Sequence, residues 1–300
     1  MTTSTTFDTY LGRLNAGERL PAEDIHALAS TPDILPLGML ADTLRRRLHD
    51  GTVTYLRVAS CAIDASFTQG VSVSAREIHI TGAPETLEVA TTAIAAAKAV
   101  AGTRTVSAFS WQDVERLATQ DHARVRRVLD ELRAAGLDAI ADLPIDTIGD
   151  AAHAIGALQA AGFQQLCLGV ERLAASERTA LLVRVAALQD EFACIQAINP
   201  LPTSLNPLRP TTGYEDVKMV AIARLAAPNV PTIQIDWLRY GPKLAQVALT
   251  FGADDIYGVS ASDDAPQGRR RAPLEEITRN IAAAGFEAVE RDGRFTFSSR

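Results

Sequence analysis

The sequence predicts an α/β fold: a TIM-type (β/α)8 or partial barrel preceded by a helical segment. Three observations carry that expectation. Eight short β-branched runs recur from Thr52 onward. Longer runs with apolar residues at helical spacing lie between them, with one exception. Eight parallel strands of about five residues are the number and size that a closed barrel uses. The chain divides into a helical segment at 1–51, the barrel at 52–292 and a polar tail at 293–300. No linker or second-domain boundary interrupts the barrel.

The elements follow in order. Leu11–Asn15, Pro21–Ala29 and Leu37–Leu48 place apolar residues at helical spacing, and Asp50-Gly51 stops the last of them. The strand candidates are Val53–Val58, Glu77–Thr81, Thr105–Phe109, Ala139–Asp142, Gln165–Leu168, Ile195–Asn199, Thr232–Trp237 and Asp255–Val259. Val89–Ala101 reads as a helix with one buried face. Ser110 and Asp113 have capping-box form, as do Thr212 and Glu215. Val125, Val128, Leu129 and Leu132 make one helical face, and Gly136 closes it. Pro228 ends one helix, and Pro273 and Gly285 bracket the last. The exception is Ala59–Arg76, which has no convincing amphipathic helix. A parallel crossover usually needs one. Either this link is an irregular loop or Val71–Ser74 is an extra strand, and the barrel is predicted to be damaged there.

Composition narrows function. The chain has 300 residues, 47% hydrophobic but only 5% aromatic, so its core must be mostly aliphatic. Its net charge is −7, which disfavours general nucleic-acid binding. No apolar run of ~20 residues suggests a membrane span, and the Thr-rich start does not resemble a signal peptide. Cys61, Cys167 and Cys194 are too few and too scattered for a disulfide framework and fit a reducing cytoplasm. No CxxC or CxxxCxxC is present, so spacing assigns no metal site.

Several stretches carry a family resemblance: Arg19–Val58, Glu77–Glu85, Leu188–Pro202 and Thr211–Gly258. They resemble the radical-SAM enzymes of the futalosine route to menaquinone, aminofutalosine synthase and dehypoxanthine futalosine cyclase. The most specific part is Gly252-Ala253-Asp254-Asp255 with the KLAQVAL run before it. The resemblance implies a radical-SAM-like barrel. It also implies a CxxxCxxC loop after the first strand, which holds a [4Fe–4S] cluster and S-adenosylmethionine. Here that place reads Ala59-Ser60-Cys61-Ala62-Ile63-Asp64-Ala65-Ser66, with one cysteine. The turn that in the family contacts the methionine moiety is reduced to Thr81-Gly82-Ala83. Cys167 falls in the fifth strand and Cys194 at the N-terminal end of the sixth, so the thiols are not expected to converge. The chain thus reads as a degenerate member with no [4Fe–4S] cluster.

Barrel sites lie at the C-terminal ends of strands. The leading candidate cluster is Asp236-Trp237-Leu238-Arg239-Tyr240, suited to a polar ring compound; the plain alternative is a scaffold turn with Trp237 plugging the mouth. Asn199, Asp142 and Glu171 also fall at strand ends, each with capping or surface pairing as its structural alternative. Thr81 and Gly82 complete the ligand-binding candidates, and Asp236 and Glu171 are the acid–base candidates. His79 reads as a wall residue, and His26, His49, His122 and His153 as helix or cap residues. Asp254-Asp255, Asp263-Asp264, Arg45-Arg46-Arg47 and Arg269-Arg270-Arg271 read as solvated charges.

Three readings follow. The first is a non-catalytic pseudoenzyme that binds a nucleoside-like ligand or a cluster-bearing family enzyme. The second is a non-radical enzyme acting on a futalosine-type or aromatic carboxylate substrate. The third, a radical enzyme with atypical ligation, ranks last. The resemblance leaves S-adenosylmethionine or a nucleoside as the ligand class. A split barrel would expose strand edges and favour a homo-oligomer.

Overall fold

The computed structural model describes residues 3–64, 71–119, 122–204, 208, 210–267 and 271–297. Three helices lead in: α1 (Thr3–Asn15), α2 (Ala22–Ser30) and α3 (Ile34–His49). Asp33 starts α3 by accepting a hydrogen bond from the Leu35 amide. The barrel follows as β1 (Thr52–Ala62), β2 (Glu77–Thr81), α4 (Leu87–Ala101), β3 (Thr105–Ser110), α5 (Trp111–Leu117), α6 (His122–Ala134) and β4 (Ala139–Asp142). Its second half is α7 (Ala151–Ala160), β5 (Leu166–Val170), α8 (Ala175–Phe192), β6 (Ile195–Pro202), α9 (Gly213–Ala226), β7 (Thr232–Asp236), α10 (Trp237–Leu249) and β8 (Asp255–Ser260). Last come α11 (Pro273–Ala283) and β9 (Glu287–Glu290), a strand the sequence did not suggest.

Both capping boxes form, at Ser110 and Thr212, because each serine or threonine and the carboxylate three residues on, Asp113 or Glu215, satisfy each other's amides. The Ala-rich helices bury aliphatic faces on the strands, and Ile78, Val106, Ile198, Ile233 and Ile256 are wholly buried. Each such side chain contributes roughly 1.5–3 kcal/mol. At α10 the chain breaks at Gly241 (φ 74°) ahead of Pro242, a conformation that a residue with a Cβ adopts poorly.

All strand pairs are parallel, in the order β4-β3-β2-β1-β8-β7-β6-β5. Between β4 and β5 the contact is a single bridge, Pro144 to Gly169, so the barrel is nearly closed with its seam there. This corrects the expected damage at the first crossover. β1 and β2 pair without a break from Val58–Glu77 to Ala62–Thr81. Among its described residues the crossover has no helix, as anticipated, and Val71–Ser74 is not a strand. Residues 65–70, Ala65 and Ser66 among them, lie outside the described residues, as do Arg269, Arg270 and the tail's residues 298–300.

One edge of β1 pairs with β8, and the strand is long enough to serve two further partners along the other. Its second half pairs with β2, and Thr52–Tyr55 pair with β9. The chain beyond β9 then crosses the N-terminal ends of β2 and β3. There Gly293 lies so close that a Cβ on it would meet Thr105 Cβ at 2.5 Å and Glu77 Oε2 at 2.8 Å. Arg291, just after β9, is 2% exposed.

Candidate functional site

The parallel strands surround a cavity of about 890 Å³. It runs from the mouth, at Asn199, Asp236 and Arg239, to a floor that includes Arg291 and Phe295. Two polar groups line its inner part, and both arise from inward-facing positions of successive strands.

The first is built on Glu77. This residue is 5% exposed, and its Oε1 accepts from Ser107 Oγ at 2.7 Å and from the Tyr257 hydroxyl at 3.1 Å. Burial pushes the Glu77 carboxyl up, opposed by those hydrogen bonds and by Arg291. Ser107 Oγ also lies 3.1 Å from His79 Nδ1. Because the serine proton goes to the Glu77 carboxylate, Nδ1 of His79 is the donor in that second bond. Burial lowers the pKa of His79, which keeps the ring neutral. Burial also pushes the Cys167 thiol, on the same wall, up to about 12.

The second is built on Asp255, which is fully buried. Arg291 meets it in a fork, Nε to Oδ1 at 2.6 Å and Nη2 to Oδ2 at 2.8 Å. Thr54 Oγ1 and Gln234 Nε2 donate to the same carboxylate at 2.6 and 2.8 Å. Phe295 stacks beneath, its ring centre 3.8 Å from the Arg291 guanidinium carbon. Burial acts to lower the pKa of Arg291, but Asp255 outweighs it and holds it above the ordinary value.

The neighbouring Asp254 faces the outer shell. Its Oδ2 meets Arg224 Nη2 and His49 Nε2, both at 2.6 Å, and its Oδ1 accepts from the Ile233 amide. Gly252 makes this possible: at φ +103°, it lets the chain approach Ala41 and Arg224, where a Cβ would sit 3.0 Å from each. The Asp254-Asp255 pair is therefore buried and braces the fold, which corrects its reading as solvated charge. Arg45 is likewise buried, held by Asp42 and the Asp50 carbonyl and stacked on Phe286.

The expected site residues divide. Asp236, Arg239 and Asn199 line the mouth. Asp236 caps α10 by accepting from the Arg239 amide at 3.1 Å and lies 3.6 Å from Arg239 Nε. Arg239 also donates to the Thr203 carbonyl, and Asn199 Oδ1 accepts from the Leu201 amide at 3.1 Å. Trp237 opens α10 and packs in the core, away from the cavity wall. Glu171 also stands off the wall; its amide, with those of Arg172 and Leu173, donates to Asp146 at 2.7–3.0 Å. Asp236 and Glu171 thus do not form one acid–base pair in the cavity. Thr81 and Gly82 border a separate recess beside Ile63 and Asp64. Glu77, Ser107, Tyr257 and Arg291 are wall residues that the sequence reading missed. The available signal was the charged residue in the apolar run of β2, two positions before His79.

The thiols occupy three places. Cys61 is in β1, Cys167 is on the cavity wall, and Cys194 is buried just ahead of β6. Among the described residues, no group of three or more His, Cys, Asp or Glu is placed to hold a metal ion. A [4Fe–4S] cluster needs several thiolates together, so these residues do not fit one.

Residues 202–300 match the CofH/MqnC C-terminal region. The chain is 28% identical over 217 residues to the 5-amino-6-(D-ribitylamino)uracil–L-tyrosine 4-hydroxyphenyl transferase of Archaeoglobus fulgidus, covering 62% of this chain and 63% of that protein. It is 32% identical over 136 residues to the aminodeoxyfutalosine synthase of Thermus thermophilus, covering 40% and 36%. To the cyclic dehypoxanthine futalosine synthase of Streptomyces coelicolor it is 25% identical, covering 97% and 88%. The first two matches thus span less than two thirds of those relatives. In solved structures the fold is that of the hydrogenase maturase HydG from Carboxydothermus hydrogenoformans (TM-score 0.66, 12% identity, 95% and 80% covered). It is also that of methylornithine synthase (TM-score 0.61, 15% identity, 93% and 97% covered). Residues 202–300 thus carry the CofH/MqnC C-terminal region, and the chain as a whole is similar to aminodeoxyfutalosine synthase, cyclic dehypoxanthine futalosine synthase and the ribitylaminouracil–tyrosine transferase, with no CxxxCxxC motif of its own.

Proposed function

We propose that this chain binds a nucleoside-like ligand in its barrel and performs no radical chemistry. The observation that carries this reading is the pairing of β1 with β2 through Ala62. The stretch that the resemblance assigns to a three-cysteine loop begins here as strand, and Cys61 is its one thiol. A lone thiolate does not hold a [4Fe–4S] cluster, and burial pushes the Cys61 thiol up rather than down. The interior, at about 890 Å³, falls within the roughly 300–1,000 Å³ of small-molecule sites. Asn199 at the mouth and Tyr257 and His79 within supply hydrogen-bonding groups beside the aliphatic wall of Leu56, Val58 and Ile140.

Thermal unfolding tests this reading. Adenosine at about a hundred times its Kd adds about 2.7 kcal/mol to the folded state and raises the melting midpoint. Asn199→Trp, which fills the mouth, abolishes that rise while leaving the ligand-free midpoint close to wild type. No rise with adenosine or with S-adenosylmethionine overturns the reading.

A further inference from the structure

Four carboxylates line the cavity: Glu77, Asp138, Asp142 and Asp236. Their partners decide what the interior presents to a ligand. Asp138 is met by Lys98 Nζ at 2.6 Å and by Arg294 at 3.4 Å. Asp236 lies 3.6 Å from Arg239. Glu77 and Asp142 make no ion pair among the described residues; Glu77 has hydroxyl donors only. The wall's two guanidinium groups are already committed, Arg291 to both oxygens of Asp255 and Arg239 to Asp236 and the Thr203 carbonyl. His79 is neutral. Neither Glu77 nor Asp142 therefore has a direct ion-pair partner: the charges of Arg291 and Arg239 reach them only at longer range, and both guanidinium groups are bonded elsewhere.

We infer that the barrel cavity takes a ligand that carries a cationic amine beside its ring, and that it turns away carboxylate- and phosphate-bearing ligands. The inference rests on the reading that the cavity holds a nucleoside-like ligand. Glu77 is 5% exposed, with hydroxyl donors as its direct partners, and these and the more distant Arg291 offset only part of the cost of burying its charge, so its pKa is pushed up. A ligand ammonium supplies the missing charge and strengthens with the low local dielectric. A ligand phosphate would add negative charge to a wall that has no guanidinium to spare for it. An aromatic carboxylate is excluded for the same reason.

The test uses one ring with three charges. Calorimetric titration of the full chain at pH 7 compares 5′-amino-5′-deoxyadenosine, adenosine and adenosine 5′-monophosphate. The amine is expected to bind about tenfold tighter than adenosine, a difference of about 1.4 kcal/mol, and the monophosphate at least about tenfold weaker. Asp142→Asn, at the exposed mouth, narrows the gap between amine and adenosine without unfolding the chain. Glu77→Gln, which keeps the shape of the side chain, narrows it independently. Equal binding of the three, or tightest binding of the monophosphate, overturns the charge inference and leaves the nucleoside reading standing. A preference for the amine that neither variant changes also overturns it. Failure of all three compounds to bind overturns the nucleoside reading and this inference with it.

Discussion

Arg291→Met isolates the contribution of the cavity floor. It keeps the length and apolar stem of the side chain and removes the guanidinium. In the wild type, Arg291 holds both oxygens of Asp255 at 2.6 and 2.8 Å, with the two side chains 2% and 0% exposed. The variant leaves a buried carboxylate with only the Thr54 hydroxyl and the Gln234 amide as donors. Breaking a buried pair from one side costs roughly 3–5 kcal/mol. At roughly 2–4 °C per kcal/mol for a domain of this order, the melting midpoint falls by roughly 6–20 °C. The double variant Arg291→Met/Asp255→Asn has no orphaned charge and recovers about 2 kcal/mol of that loss. Urea unfolding followed by circular dichroism reads both values. A single variant within about 1 kcal/mol of wild type, or a double variant that loses the sum of the two singles, refutes the claim that this pair anchors the floor.

Three further outcomes are expected. Gly293→Ala forces a Cβ to within 2.5 Å of Thr105 Cβ. The resulting overpacking costs roughly 1–3 kcal/mol in the same assay and weakens ligand binding. Burial acts to lower the pKa of His49, but the hydrogen bond and charge of Asp254 outweigh it and raise it above 6.5. The stabilisation is therefore full below pH 6.5 and is lost as pH rises through the folded-state value. A pH series of unfolding midpoints shows that decline in wild type and a flatter profile in His49→Gln; identical profiles would count against the His49–Asp254 contact. Cys167, its thiol held up at about 12, reacts with iodoacetamide at pH 8.5 far more slowly than in the urea-unfolded chain, as read by peptide mass spectrometry. Equal rates in the two states would show that the cavity does not shield it.

The strands were legible as apolar, mostly β-branched stretches alternating with helical ones, and Glu77–Thr81 and Ala139–Asp142 match residue for residue. β9 was not: Glu287–Glu290 alternates weakly, has no fully buried residue and exists because β1 offers it an edge. The place of the seam was equally hidden. Backbone pairing leaves little mark on a four-residue strand such as β4, whereas the missing crossover helix drew attention to the wrong edge. The mouth residues Asp236, Arg239 and Asn199 followed from strand ends alone. The inner wall did not, because Glu77, Ser107 and Tyr257 come from three strands, and only the closed sheet brings their side chains together. Asp254 and Asp255 were legible as a distinctive pair, but their burial depends on arginines 30 and 36 residues away in sequence.

Loss of the cluster is tested most directly by anaerobic reconstitution of the full chain with iron and sulfide, followed by iron counting and visible spectroscopy. With Cys61, Cys167 and Cys194 on three separate strands or strand ends, the bound iron stays well below one cluster and no broad cluster absorbance develops. About four irons and matching sulfide per chain, with S-adenosylmethionine cleaved on reduction, would contradict it.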